Sequence, residues 1–116
     1  MNKMDTSFLV NAFSVGMLTE DSVVEFRKVT IQEAVKLLAG GAYVSAVGHA
    51  DTAELVGKLL GKDVALNRVS VALKEGETML LAQYTGGRLP EVTRVLPDGA
   101  QIQFWKLKHL GKPQQE

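Results

Sequence analysis

The sequence has no cysteine among its 116 residues, which excludes disulfide bonds and thiolate metal sites. It also lacks an apolar run near the ~18 residues that span a bilayer, and its start does not read as a signal peptide. Thirteen basic and thirteen acidic side chains give a net charge of zero. Without an excess of positive charge, we do not expect long nucleic acid as a partner. We therefore expect a cytoplasmic protein without membrane contact, in which any anionic ligand is bound by a local arrangement of residues.

The patterning of the chain predicts one domain, 1–116, of the α/β (α+β) class. The expected architecture is a mixed β-sheet of about five strands flanked by helices, and residues 106–116 are expected to include a flexible polar tail. The predicted elements are strands at 7–13, 22–29, 42–48 (a central strand) and 100–107, a β-hairpin across 68–85, and two helices at 30–41 and 51–61.

Both predicted helices carry start and stop signals. Thr30 with Glu33 three residues later is a capping box, and glycines follow the apolar stripe of this first helix. Asp51 is the expected N-cap of the second helix, with Glu54 at the third helical position, and Gly61 is expected to end it.

One of the two histidines, His49, lies just before this second helix. The amides of Thr52, Ala53 and Glu54 are expected to be free at the helix start and, with the helix dipole, to form an anion site. Next to such a site, an imidazole could protonate the leaving oxygen of a phosphodiester. The residues alone also allow, and by themselves favour, a half-exposed histidine in a strand-to-helix turn.

Other polar residues allow the same two interpretations. Arg88 and Glu91, in the expected loop 86–91, could grip a phosphate and accept a proton, but surface loops often contain such pairs. Several further side chains could bond phosphates, ribose hydroxyls or base edges: Asn11, Ser14, Arg68 and Gln83.

Some sites and roles are disfavoured by the residue types present. The chain has no Walker-type glycine loop and no zinc-ligand spacing, so neither a metal nor a cofactor is expected. Phe104 and Trp105 are expected in the core or an interface rather than as base-stacking platforms. A solvated basic end is expected from Lys106, Lys108, His109 and Lys112.

Four segments, in this order along the chain, resemble one family: "NAFSVGML", "SAVGHADTAELVGKLLG", "NRVSV" and "AQYTGGRLPE". They are similar to the small viral and prophage proteins of the DUF1874 family, which includes type III anti-CRISPR ring nucleases and their bacterial relatives. The resemblance implies a homodimer that degrades cyclic tetra-adenylate, the messenger of type III CRISPR systems, without a metal. The product would be linear di-adenylate ending in a 2′,3′-cyclic phosphate.

The resemblance also implies roles for individual residues. His49 corresponds to the catalytic general acid, and Glu91 is the second catalytic residue, which would orient or deprotonate the attacking hydroxyl. The implied substrate-binding residues are Arg88, Arg68, Asn11, Ser14, Gln83 and Thr52. The alternatives are a non-catalytic sponge for a cyclic nucleotide and a small regulator that binds DNA or a host protein.

Overall fold

The computed structural model describes residues 6–39, 43–85 and 101–113. Five strands and two α-helices are present in these ranges, together with a short 3-10 helix at Val15–Met17. In chain order the main elements are β1 (Phe8–Val10), β2 (Val24–Val29), α1 (Ile31–Leu37), β3 (Val44–Ala46), α2 (Ala50–Leu60), β4 (Thr78–Thr85) and β5 (Gln101–His109). None of the helices in this part of the chain is long and apolar enough to span a membrane.

The five strands form one mixed sheet in the order β2-β5-β4-β1-β3. Strand β1 runs parallel to both of its neighbours, with Phe8 opposite Val44 on β3 and Met79 on β4. Strand β5 is antiparallel to β4 and β2. The predicted fold class and the mixed five-stranded sheet are therefore confirmed, and the carboxyl ends of β1, β3 and β4 point the same way.

Helix α1 begins as the sequence predicts. The Thr30 Oγ1 atom accepts a hydrogen bond from the Glu33 amide at 3.1 Å, and Glu33 Oε1 accepts one from the Thr30 amide at 2.8 Å. These reciprocal bonds satisfy two amides at the helix start that have no partner within the helix. The capping box is confirmed.

Alternation along β4 and β5 sends side chains to both faces of the sheet. Leu80, Ala82 and Phe104 pack with buried residues of α2 on one face. On the other face, Leu81 and Leu107 form a second cluster, against which the half-buried Trp105 packs. Phe104, only 2% exposed, is a core residue, and Trp105 lies at the margin of the core, as the sequence indicated.

Strand β3 lies at the edge of the sheet, so the prediction of a central strand was wrong. The residues that follow α2 cover this edge instead of a sixth strand. Ser45 Oγ donates to the Ala65 carbonyl at 2.7 Å, Asn67 Nδ2 donates to the Ser45 carbonyl at 2.7 Å, and Val47 forms an isolated parallel bridge with Leu66. The small and β-branched side chains of β3 indicate a strand that is covered on its edge. A central strand has the same kind of side chains, so the two cases look alike in the sequence.

The predicted hairpin across 68–85 was also wrong, because only its second half is a strand. Strand β4 pairs with β1 and β5, whose ladders occupy both of its edges. The turn itself is present, with the Glu77 amide bonded to the Lys74 carbonyl at 2.9 Å. Before this turn, Leu73 is buried and its amide donates to the Met17 carbonyl at 2.9 Å. Val71 packs against the same cluster, so these residues reach the core as an irregular segment.

The expected polar tail at 106–116 is corrected for its first part, because residues 106–109 belong to β5. Both neighbours of β5 continue to pair with it there, with Thr78 opposite Lys108 and Val24 opposite His109. His109 is 2% exposed, and its Nδ1 accepts a hydrogen bond from the Gly111 amide at 2.9 Å. It is therefore not part of a solvated basic end.

Candidate functional site

The candidate site lies where the parallel strands β1 and β3 end. Asn11 directly follows β1, and Val47, Gly48 and His49 connect β3 to α2. In sheets with parallel strands, ligands commonly bind outside the carboxyl ends of those strands. The topology therefore brings Asn11 and His49 together from positions that are far apart in the sequence.

His49 itself is the N-cap of α2, two residues earlier than the predicted cap at Asp51. Its backbone is extended (φ −130°, ψ 124°), and its Nδ1 accepts a hydrogen bond from the Thr52 amide at 3.4 Å. The lone pair of an imidazole nitrogen can cap a helix as an aspartate oxygen does, which the usual sequence preferences do not reveal. Asp51 lies in the first turn, where its negative charge complements the helix dipole.

The expected anion site of three free amides is therefore not present. The amide of Thr52 is bonded to the His49 ring, and the amide of Ala53 donates to the His49 carbonyl at 2.9 Å. Glu54 lies inside the helix, one turn after the cap. The helix start serves to orient His49, whose own side chain is exposed.

Thr52 is buried, at 5% exposure, which does not favour the expected contact with substrate. Its Oγ1 lies 3.5 Å from Nδ1 of His49. The backbone amide and the hydroxyl of Thr52 thus both lie near Nδ1 of His49. No described residue bonds Nε2, so this atom is the ring nitrogen available to a ligand.

Gly48, the residue before His49, is held through its backbone amide and carbonyl by two side chains that the sequence singled out. The Gly48 amide donates to Asn11 Oδ1 at 3.3 Å, and the Gly48 carbonyl accepts from Arg68 Nε at 2.9 Å. Since only Nε of Arg68 makes this bond, its terminal guanidinium nitrogens can bind an anion. Asn11 and Arg68 therefore fix the backbone of the histidine and lie close to it.

The other predicted residues are placed less directly. Ser14 is exposed and precedes the 3-10 helix, where its carbonyl accepts from the Met17 amide at 3.0 Å. Gln83 is exposed on β4 and faces away from α2, beside an open cavity of about 280 Å³ that Phe26, Leu81 and Trp105 also line. The structure does not bring Gln83 into the group around His49. Arg88 and Glu91 lie outside the described residues.

Two features were missed at the level of sequence, one in the site and one outside it. Gly48 is the point at which Asn11 and Arg68 act, and its two partners are 37 and 20 positions away along the chain. Outside the group around His49, the hydroxyl of Tyr84 on β4 is buried and has no partner among the described residues. No local pattern marks either feature. In residues 6–39, 43–85 and 101–113, no group of three His, Cys, Asp or Glu side chains could hold a metal ion.

Comparisons with known proteins identify viral relatives. B116 of Sulfolobus turreted icosahedral virus (STIV) has a similar structure, with a TM-score of 0.75 and 33% identity over 90% of this chain and 99% of that one. ORF116 of Acidianus filamentous virus 1 is 29% identical over 101 residues, which are 80% of this chain and 87% of that protein. Uncharacterized protein 26 of the Sulfolobus islandicus filamentous virus is 31% identical over 61 residues, 53% of this chain and 52% of that protein.

The chain thus spans about half the length of the Sulfolobus islandicus virus protein. The names of these three viral proteins do not state an activity. The family model that matches residues 7–98 is described as STIV B116-like. This finding corrects the resemblance to DUF1874 ring nucleases that the sequence segments indicated. A match over most of the chain, together with the structural likeness to B116, shows that the protein belongs to the STIV B116-like family.

Proposed function

We propose that this protein is a metal-independent ring nuclease that cleaves cyclic tetra-adenylate to linear di-adenylate ending in a 2′,3′-cyclic phosphate. In this role it acts in the cytoplasm of an infected cell and ends type III CRISPR signalling. The observation that carries the proposal is the exposed His49, held through Nδ1 at the carboxyl ends of parallel strands with Nε2 left for a ligand. A side chain held in this way suits the transfer of a proton at one defined atom.

The reaction is an intramolecular transesterification. The 2′-oxygen of a ribose attacks the adjacent phosphorus, its proton passes to Glu91, and the bond from phosphorus to the 5′-oxygen breaks. The electron pair of that bond goes to the 5′-oxygen, which takes the proton from Nε2 of His49. The nucleophile is part of the substrate, so the protein supplies orientation, charge stabilisation and the proton.

Cationic and polar groups around His49 would bind the substrate. The terminal nitrogens of Arg68 lie near the Gly48 carbonyl and can bond a phosphate, and Arg88 has the same role in the proposal. Asn11 and Ser14 are the proposed contacts to ribose and base, together with Gln83, which lies on β4 outside the group around His49. Two copies of the chain would enclose the ring, because a molecule of four repeats presents the same groups to both halves of a two-fold dimer.

Incubation of catalytic amounts of protein with cyclic tetra-adenylate in EDTA tests this proposal. We expect several turnovers per protein and linear di-adenylate with a cyclic phosphate end. The informative variant is His49→Asn, because asparagine caps a helix well but donates no such proton. It should lower kcat by ~10²–10⁴-fold, the usual contribution of a positioned acid, and leave binding of the ring nearly unchanged.

The matched control is His109→Asn, which alters the second, buried histidine and should retain turnover. Full activity of His49→Asn would refute the assignment of His49 as the acid. Binding of one ring per dimer without turnover would instead identify a sponge. Absence of binding to the ring, with affinity for DNA that falls steeply with salt, would identify a nucleic-acid regulator.

A further inference from the structure

Two groups of one residue lie within reach of the same ring nitrogen of His49. The Thr52 amide is 3.4 Å and the Thr52 hydroxyl oxygen is 3.5 Å from Nδ1. The amide can only donate a hydrogen bond, whereas the hydroxyl can donate or accept one. The two groups therefore suit different protonation states of the imidazole.

In the neutral ring, the amide of Thr52 donates to the lone pair of Nδ1. This bond requires the single ring proton to be on Nε2. A charged ring carries a proton on Nδ1 as well, and the amide of Thr52 cannot bond it because both groups are then donors. The hydroxyl of Thr52 is the neighbouring group that can accept the Nδ1 proton, and the ring does not need to leave its place at the helix start.

We propose that Thr52 is a positioning residue that holds His49 in both protonation states, its amide pairing with the neutral ring and its hydroxyl with the charged one. This inference rests on the proposed function, in which His49 is the acid. The charged ring gives its Nε2 proton to the 5′-oxygen and is left neutral with its proton on Nδ1, bonded to the Thr52 hydroxyl. Exchange with water then returns a proton to Nε2.

The burial of the two residues supports this division of roles. Thr52 is 5% exposed, so water does not readily replace its hydroxyl, while the His49 side chain is exposed. Two charged side chains lie close to this turn: Asp51 belongs to the first turn of α2, and Arg68, which follows the helix in the chain, donates from Nε to the Gly48 carbonyl. Neither replaces the Thr52 hydroxyl as the bonded partner of Nδ1 among the described contacts.

Substitution of Thr52 by Val and by Ser distinguishes the role of the hydroxyl from that of the amide. Both variants keep the backbone amide, but only Ser keeps a hydroxyl. We expect Thr52→Val to lower kcat roughly 10- to 100-fold, as loss of an outer partner of a functional histidine commonly does, with KM nearly unchanged. Thr52→Ser should restore kcat to near the wild-type value. The matched control is Thr78→Val, at a threonine of β4 that is 2% exposed and should leave kcat unaffected.

Nuclear magnetic resonance of the ring nitrogens gives a second measurement that needs no substrate. At low pH, where the ring is charged, the Nδ1 proton should exchange slowly in the wild type and in Thr52→Ser, and rapidly in Thr52→Val. At high pH, every variant should show the neutral form with its proton on Nε2. This result would hold even if cyclic tetra-adenylate were not the substrate.

Unchanged kcat in Thr52→Val, or a wild-type Nδ1 proton that exchanges as fast as that of an exposed histidine, would overturn the inference. A resting neutral ring that keeps its proton on Nδ1 at high pH would overturn it as well, because the neutral ring with a proton on Nδ1 is only a transient product of the transfer. If Thr52→Val does not fold, the exchange measurement on the wild type still decides the question. If the wild type does not turn over cyclic tetra-adenylate but its Nδ1 proton exchanges slowly, the proposed function is refuted. The contact between Thr52 and His49 is then still supported.

Discussion

At the scale of single residues, the candidate site consists of a histidine and the groups that hold it. Asn11, Arg68 and Thr52 were expected to touch a ligand, and each contacts His49 or the peptide before it. Bonds between such distant positions depend on tertiary structure, so sequence reasoning could identify the residues and not their roles. The sequence showed that an imidazole lies just before α2, but it did not show that this side chain caps the helix.

Asn11→Ala should test how the Gly48 peptide is held. The change removes the acceptor of a half-buried amide, and the unpaired donor should lower the free energy of unfolding by about 1–2 kcal/mol. Chemical denaturation measures this difference. Asn11→Asp keeps an acceptor oxygen at this position and should lose less than half as much stability. Equal losses in both variants would show that this bond is not the source of the effect.

At the scale of elements, helix α1 follows from its local sequence and strand β3 does not. The capping box acts over three residues, so it could be read directly from the chain. The place of β3 in the sheet depends on residues 65–67, which cover its edge. In the same way, the alternation in 68–73 is typical of a strand, but the neighbours of β4 are already β1 and β5.

Thr30→Ala should destabilise α1 by about 1 kcal/mol at neutral pH, the usual cost of losing an N-cap side chain. Two hydrogen bonds lower the pKa of Glu33 below its ordinary 4.5. The bond from the Thr30 amide has the larger effect, and the bond with the Thr30 side chain has the smaller one. Glu33 therefore stabilises the fold above its unfolded-state pKa, and this contribution is lost as the pH falls through the lowered folded-state pKa.

The cost of Thr30→Ala should accordingly be smaller in acid than at neutral pH, and the pKa of Glu33 should rise toward 4.5 in the variant. Unfolding curves at neutral pH and well below pH 4.5 measure the first effect, and a carboxyl titration by nuclear magnetic resonance measures the second. Gln32→Ala in the same turn, which leaves both capping bonds in place, is the control. A cost that is independent of pH would contradict this coupling.

At the scale of the whole molecule, β1 and β5 connect parts of the chain that are remote in sequence. The sequence predicted a mixed sheet of about five strands, because apolar patterning reports which segments are buried, although the first half of the predicted hairpin is not a strand. It did not predict strand order, because many pairings bury the same faces. It also placed the end of the last strand two residues too early, since the pairing of residues 108 and 109 with β2 and β4 leaves little trace in their polar composition.

A chain that ends after residue 107 should therefore be less stable by roughly 4 kcal/mol than one that ends after residue 113. The shorter chain loses four backbone hydrogen bonds that residues 109–111 make with Val23, Gly76 and Glu77, at about 1 kcal/mol for each. Thermal or chemical unfolding of the two chains measures the difference. Equal stability would show that residues 108–113 are dispensable for the fold.

The bond between the Gly48 amide and Asn11 joins the ends of β1 and β3 at the point where His49 begins. Deuterium can replace that amide hydrogen only when the bond opens. The exchange rate of this single backbone position is therefore a direct readout of how often the histidine loses its alignment in the absence of any ligand. A molecule with an intact sheet but a rapidly labelled Gly48 would be folded and yet unready to bind or react.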